Sequence, residues 1–127
     1  MNLQVIETDD APAAIGPYSQ AIGHDGVLYC SGALPLDSEG SMVGEGDPAA
    51  QASQALRNLA AIAAAAGGSL DNALRLTVYT TQLGQFAAIN EAYGEFFGET
   101  PPARVTIGVA ALPKGALVEI DALVALA

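Results

Sequence analysis

Two charged residues near the C-terminus have the types and spacing that could bind a small carboxylate and act on it. Arg104 is one of only four basic residues among 127, and it falls in the period-two segment Ala103–Val109. Its guanidinium offers a rigid fork of donors that matches a carboxylate. Glu119 lies between apolar residues of Val118–Asp121, where a charge is costly unless it is paired or used. Together they predict a small-anion site.

The two segments are predicted to be the strands of one hairpin, joined by the loop Ala111–Gly115, which holds the floor of this site. Pro101 and Pro102 cannot continue a helix, so they end the preceding element and deliver the chain extended. Arg104 and Thr106 then share one strand face. An alternative from spacing alone is that the two charges form a structural ion pair or are solvated residues at a sheet edge.

The elements that must position these residues are four more strands and two helices. Strands are predicted at Leu3–Ile6, Tyr18–Ile22, Val27–Gly32 and Ala73–Thr80. Asp25-Gly26 predicts a tight hairpin, with His24 at the surface beside it. The first helix runs from the Asp47-Pro48 cap to Gly67-Gly68, and the second carries an apolar stripe from Phe86 to Phe97 and ends at Gly98. Arg57 and Asn58 interrupt the first stripe and are expected to be solvated or capping.

This order predicts a single α+β domain over residues 1–127, with a mixed six-stranded sheet and both helices on one face. The other face also carries apolar residues, and no element remains to cover it. A large exposed apolar face marks an interface, so a homo-oligomer that packs these faces together is expected.

Composition excludes several classes of function. A net charge of −10 cannot supply the basic stripe that nucleic-acid or anionic-membrane binding requires. His24 and Cys30 are the only histidine and cysteine, so no nitrogen and sulfur ligand set for a metal exists; a carboxylate-only Mg²⁺ or Ca²⁺ site stays open, although no Ca²⁺-loop spacing is present. No apolar run approaches the ~20 residues of a membrane span. The N-terminus lacks signal-peptide features, and the single cysteine cannot form an internal disulfide, so a cytoplasmic protein is expected.

Six blocks, in order over nearly the whole chain, resemble the RidA (YjgF) family. They are Ala11–Ala21, Cys30–Gly32, Gln54–Leu59, Asn90–Tyr93, Pro102–Arg104 and Leu112–Ile120. The resemblance implies a chorismate-mutase-like fold and a homotrimer with inward-facing sheets and clefts between subunits. It also implies cofactor-independent 2-iminobutanoate/2-iminopropanoate deaminase activity, which hydrolyses reactive 2-imino and 2-enamino acids such as 2-aminoacrylate to 2-oxo acids and ammonia.

The resemblance further implies roles for individual residues. Arg104 would grip the substrate carboxylate, and Glu119 would position or activate water. Tyr18 would line the cleft against the substrate, and Ser31 would be a small polar pocket residue. The other implied substrate-binding residues are Phe86, Asn90 and Thr106.

Two positions depart from the usual family pattern, and three rival functions remain. Thr106 stands where a cysteine is common, and Ala33 replaces a frequent glutamine, so substrate preference is expected to differ more than the reaction class. The rivals are a non-catalytic carboxylate-binding module using the same cleft, a chaperone-like or structural trimer, and a ribonuclease or translation inhibitor. The net charge disfavours the last.

Overall fold

The structure, a computed structural model, describes residues 1–127 and contains a six-stranded mixed sheet with two helices on one face. The strands are β1 (Gln4–Ile6), β2 (Ala21–His24), β3 (Val27–Ala33), β4 (Ala73–Thr80), β5 (Ala103–Gly108) and β6 (Val118–Ala125). The helices are α1 (Pro48–Ala65) and α2 (Phe86–Gly94). The α+β arrangement predicted from the sequence is confirmed. No helix combines the length and apolar composition that crossing a membrane requires.

The strand order is β1-β2-β3-β6-β4-β5, in which only β4 and β5 run parallel. Strand β6 takes a central position because every second residue is apolar and buried against the helices. Those residues are Val118, Ile120, Ala122 and Val124. Strand β5 buries none of its residues fully and lies at the edge. Helix α2 provides the crossover that two parallel neighbours need.

The predicted hairpin of β5 and β6 is wrong, because β4 lies between them. Closeness in sequence favoured direct pairing of the two segments. Burial decides otherwise, since β6 has a continuous buried stripe to place in the sheet centre and β5 does not. Arg104 and Glu119 are therefore not on neighbouring strands.

The local signals for α1 and for the first hairpin are confirmed. The Asp47 carboxylate caps α1 by accepting from the Ala50 N–H at 3.2 Å, and Pro48 occupies the first helical position. Asp25 and Gly26 adopt φ values of 49° and 77° between β2 and β3, as a tight turn demands. The predicted strand at Tyr18–Ile22 begins only at Ala21, so Tyr18 lies on a loop.

Asn58 lies inside the fold, although its break in the helix periodicity predicted a solvated or capping residue. Its amide nitrogen donates to the carbonyl oxygens of Leu34 (3.0 Å) and Leu36 (2.8 Å), and its oxygen accepts from Gln54 (3.0 Å). Arg57 is exposed as expected. Buried carbonyl groups need such partners because water cannot reach them. Through these hydrogen bonds Asn58 holds the loop after β3 against α1.

The sheet face opposite the helices is uncovered, as the sequence predicted. Its apolar side chains lie 44–62% exposed; they are Val5, Tyr29, Val105 and Ile107. Glu119 and Asp121 point to this face as well, because their register partners Tyr79 and Thr77 alternate with the buried residues of β4. The face therefore combines an exposed apolar surface with a pair of carboxylates.

Candidate functional site

Arg104 projects from the edge strand β5 onto the side of the sheet that α2 covers, since its register partner is the buried Leu76. One face of α2 cradles its guanidinium. The Asn90 Oδ1 accepts a hydrogen bond from Arg104 Nη1 at 2.6 Å. The ring centroids of Phe86 and Tyr93 lie 5.5 Å and 4.8 Å from its central carbon. Positions 86, 90 and 93 share a helix face, so α2 supplies all three contacts.

The guanidinium in this cradle remains available to a ligand. No carboxylate of the chain lies within ion-pair distance of Arg104, so the alternative of a structural pair with Glu119 is wrong within one chain. A guanidinium carries five N–H donors, and Asn90 occupies one of them. The aromatic rings restrain the group without neutralising it. The arrangement can therefore receive a small anion, and a carboxylate matches its donor fork.

Tyr93 offers a test of how much the ring contributes to this cradle. Its hydroxyl is buried without a hydrogen-bond partner, and the residue is only 5% exposed. Burial raises the pKa of this hydroxyl, while the nearby Arg104 lowers it. Tyr93→Phe keeps the ring, so we expect unchanged binding of pyruvate, a small carboxylate, in calorimetry. Tyr93→Leu should weaken it by roughly 2- to 30-fold, because a cation–π contact contributes about 0.5–2 kcal/mol. Equal losses in both variants would contradict a role for the ring.

A second group of residues lies at the end of β3, where Gly32 meets the Glu119 side chain. Gly32 lies directly against the Glu119 side chain: a Cβ atom on Gly32 would stand 2.9 Å from the carboxyl carbon. Only glycine therefore permits this approach. Ser31 precedes it, and its hydroxyl donates to the Ser19 carbonyl oxygen at 2.6 Å. This bond ties β3 to the loop before β2.

Tyr18 completes the second group from that loop. Its hydroxyl oxygen accepts the Ile15 N–H at 3.2 Å, which orients the exposed ring. Tyr18, Ser31 and Gly32 all line one cavity. The loop is held in turn by the buried Gln20 amide.

The Glu119 carboxyl holds its proton more tightly than an ordinary glutamate. Burial is the larger cause of its raised pKa, and the negative charge of Asp121 on the same face adds to it. Asp121 accepts a hydrogen bond from the Tyr79 hydroxyl at 2.8 Å. A carboxyl with a raised pKa, beside a carboxylate, is suited to exchange protons with a bound molecule.

Six of the seven predicted site residues, with Tyr93 and Gly32, which the sequence did not assign to the site, thus form two half-sites, which we define by their members. The arginine half-site is Phe86, Asn90, Tyr93 and Arg104, and the glutamate half-site is Tyr18, Ser31, Gly32 and Glu119. The two key charges lie on opposite faces of the sheet, two strands and three residues apart, which places their Cα atoms about 14 Å from each other. The predicted common floor within one chain is therefore wrong.

Thr106 lies on the arginine side, next to the covered face of β5. Its hydroxyl is buried and has no hydrogen-bond partner within this chain. The assignment of Tyr93 to the helix core is confirmed, but sequence reasoning missed its contact with Arg104 and overlooked Asp121 as a neighbour of Glu119. The spacing of Tyr93 from Phe86 and Asn90 was the signal that could have identified the cradle.

Three comparisons with known proteins agree with this architecture. Residues 8–126 match the family model described as Endoribonuclease L-PSP. A Mus musculus protein named 2-iminobutanoate/2-iminopropanoate deaminase is 43% identical over 120 residues, covering 94% of this chain and 89% of the relative. Among solved structures, RidA from an Antarctic Psychrobacter species has a TM-score of 0.92 at 45% identity, covering 97% of this chain and 99% of that one. E. coli TdcF with bound serine has a TM-score of 0.91 at 39% identity, covering 98% and 99%.

The matches extend along nearly the whole chain, through both half-sites, and the fold agrees as closely as the sequence. The chain therefore belongs to the Endoribonuclease L-PSP family, which is the RidA (YjgF) family that its sequence resembles.

Proposed function

We propose that this protein hydrolyses reactive 2-imino acids, and the 2-enamino acids that tautomerise to them, to 2-oxo acids and ammonia. The observation that carries the proposal is the unpaired Arg104 guanidinium, held by α2 and left open to a carboxylate. Such a substrate carries one carboxylate, which Arg104 can bind, and one electrophilic carbon, at which Glu119 can exchange protons as water attacks. The name of the mouse relative and the serine bound to TdcF support an amino-acid-like ligand.

The proposed reaction needs only these two charged groups. Arg104 fixes the carboxylate and thereby places the C=N carbon before attack. The Glu119 carboxylate accepts a proton as water adds to the protonated imine, which forms a carbinolamine. Glu119 then returns that proton to the nitrogen. As the C–N bond breaks, the Glu119 carboxylate takes the hydroxyl proton while the carbonyl forms, and it passes this proton to the departing ammonia, which leaves as ammonium. Atoms balance, since one water is consumed for each ammonia released.

We further propose that each active site forms between two copies of the chain. Because Arg104 and Glu119 lie on opposite sheet faces, one molecule does not present both to one substrate. A neighbouring copy can supply the missing half-site, and the exposed apolar face gives it a surface to pack on. Cyclic symmetry repeats such a heterologous contact in every subunit, and the family resemblance implies a trimer.

Mixing two inactive variants tests the shared site. Arg104→Ala and Glu119→Gln chains, carrying different tags, are co-expressed and their mixed assemblies are purified. In a mixed cyclic trimer one cleft in three should then combine an intact Arg104 with an intact Glu119, and activity should return to about that extent. A site contained in one chain would leave the mixed assemblies as inactive as the two single variants.

The function itself is tested by generating 2-aminoacrylate or 2-iminobutanoate in the assay and following the 2-oxo acid against spontaneous hydrolysis. We expect the wild-type protein to accelerate release and to lower the amount of imine that semicarbazide traps. Binding of pyruvate without any acceleration would instead favour a carboxylate-binding module. That result would overturn the deaminase and keep the arginine anchor.

A further inference from the structure

A groove of about 480 Å³ lies between the C-terminal end of α2 and the residues that lead into β5. Its volume is typical of small-molecule sites, which occupy roughly 300–1,000 Å³. Arg104 and Asn90, the residue that accepts its hydrogen bond, both line this groove. The groove is therefore continuous with the arginine half-site.

The rest of the lining consists of glycines and of residues that carry rings. The ring-bearing residues are Tyr93, Phe97, Pro101 and Pro102. The Arg104 guanidinium carbon lies 4.8 Å from the centroid of the Tyr93 ring, and the Tyr93 and Phe97 centroids are again 4.8 Å apart. The Tyr93 and Phe97 rings are tilted by 42° to each other. A succession of aromatic rings thus leads away from the guanidinium.

Arg104 supplies the only full charge in the lining of this groove. A ligand with a second carboxylate would find no further cation there, in a chain whose net charge is −10. Burying such a group without a partner is costly. The groove therefore matches a ligand that has one carboxylate and an apolar tail with a ring.

We propose that this groove receives the side chain of the substrate, so that the protein prefers 2-imino acids with an aromatic side chain. The inference rests on the proposed function. Arg104 belongs both to the proposed site and to the groove, so a carboxylate bound to it has its carbon chain at the groove. In a phenylalanine-derived imine, only two carbon atoms separate the carboxylate from the ring. The ring can then pack on Tyr93 and Phe97, which combines burial of apolar surface with aromatic contacts.

Gly94 and Gly98 leave the groove open. Both line it, and a Cβ atom built on either would meet no atom within 4 Å. Neither residue has a positive φ, so a larger residue can replace it without backbone strain. A leucine at either position would occupy space that an aromatic ring of the substrate needs.

The test compares 2-oxo acids, the products of the reaction, by calorimetry. We expect phenylpyruvate to bind at least tenfold more tightly than pyruvate, because the phenyl ring leaves water. We expect 2-oxoglutarate to gain nothing over pyruvate, since its second carboxylate meets no cation in the groove. The ratio of kcat/KM for the phenylalanine-derived imine over the alanine-derived imine should show the same preference for the ring.

Two variants and a control make the inference falsifiable. Gly94→Leu and Gly98→Leu should each bring the preference for phenylpyruvate over pyruvate towards one. Gly84→Leu makes the same chemical change at a glycine that has equally open surroundings but lies outside the groove, and it should leave the preference intact. A wild-type preference near one, or a preference that both groove variants leave unchanged, overturns the inference.

The same measurements separate this inference from the proposed function. Selective binding of phenylpyruvate without turnover of any imine would overturn the deaminase proposal and retain the groove. Turnover of the alanine-derived imine without any preference for the aromatic one would retain the deaminase and overturn the groove.

Discussion

Arg104→Ala is expected to reduce kcat/KM for imine hydrolysis about a hundredfold while the fold stays intact. A carboxylate held by two charge-assisted hydrogen bonds loses about 3 kcal/mol when both are removed, which corresponds to roughly two orders of magnitude. Folding should not suffer, because Arg104 is exposed and makes no ion pair within the chain. The measurement is 2-oxo acid release from an imine generated in the assay, with thermal unfolding recorded in parallel.

Two further arginine variants separate anchoring from general electrostatics. Arg104→Lys keeps the positive charge and loses the planar fork of donors, so its kcat/KM should lie between those of wild type and Arg104→Ala. Arg57→Ala removes another exposed cation, from α1, and should leave hydrolysis unchanged. If Arg57→Ala slowed the reaction as much as Arg104→Ala, the effect would come from net charge. Full activity of Arg104→Ala would remove the carboxylate anchor from the proposal.

The elements that the sequence predicted well are those determined by neighbouring residues. The Asp47-Pro48 cap sets the start of α1, and Asp25-Gly26 supplies the positive φ values of the first hairpin. Both signals act within a few residues, so no knowledge of the remaining fold is needed. The same holds for the two faces of β5, since alternation is a property of any strand.

The pairing of β5 with β6 failed because strand order depends on contacts between distant segments. A short loop between two strands favours a hairpin, but here β4 enters between them and pairs with both. The sequence already shows an apolar residue at every second position of β6 as far as Val124. The burial of these residues in the structure is typical of a central strand. What the sequence did not reveal was which two strands would flank it.

The same strand order explains why the site residues were identified but their arrangement was not. Arg104 and Glu119 stand out by type, because a charge in an apolar strand is rare. Whether two such charges meet depends on the sheet face that each one occupies, and that follows from register. The registers Leu76 to Arg104 and Tyr79 to Glu119 send them to opposite faces. The separation of the two charges within one chain, on which the proposal of a shared site rests, thus emerges only from the structure.

A buried amide such as Asn58 was hidden from sequence reasoning for a related reason. The buried face of the helix around it carries apolar residues such as Ala55, Leu59 and Ile62, so a polar residue there interrupts an apolar stripe and indicates solvent. The carbonyl groups that it satisfies belong to Leu34 and Leu36, more than twenty positions earlier in the chain. Only the path of the loop after β3 decides that this amide is needed inside.

Glu119→Gln is expected to lower kcat by about 10²–10⁴-fold, the usual contribution of general acid–base catalysis. The variant should unfold at the same temperature as wild type or higher at neutral pH. The raised pKa means that the folded state binds the Glu119 proton more tightly than the unfolded state, so the stability present at low pH is lost as pH rises through that pKa. Glutamine removes this penalty. A large drop in unfolding temperature would instead show that the variant loses activity because its folded state is destabilised.

The pH profile of the wild-type enzyme then distinguishes a base from a purely structural glutamate. Because the carboxylate is the active form, the catalysed rate, corrected for spontaneous hydrolysis, should fall as pH drops through the raised pKa of Glu119. Asp121→Asn removes the neighbouring negative charge and should shift this acidic limb to lower pH, since that charge helps to raise the pKa. Asparagine can still accept the Tyr79 hydrogen bond, so the local structure is retained. An acidic limb that does not move in Asp121→Asn would show that another group controls the reaction.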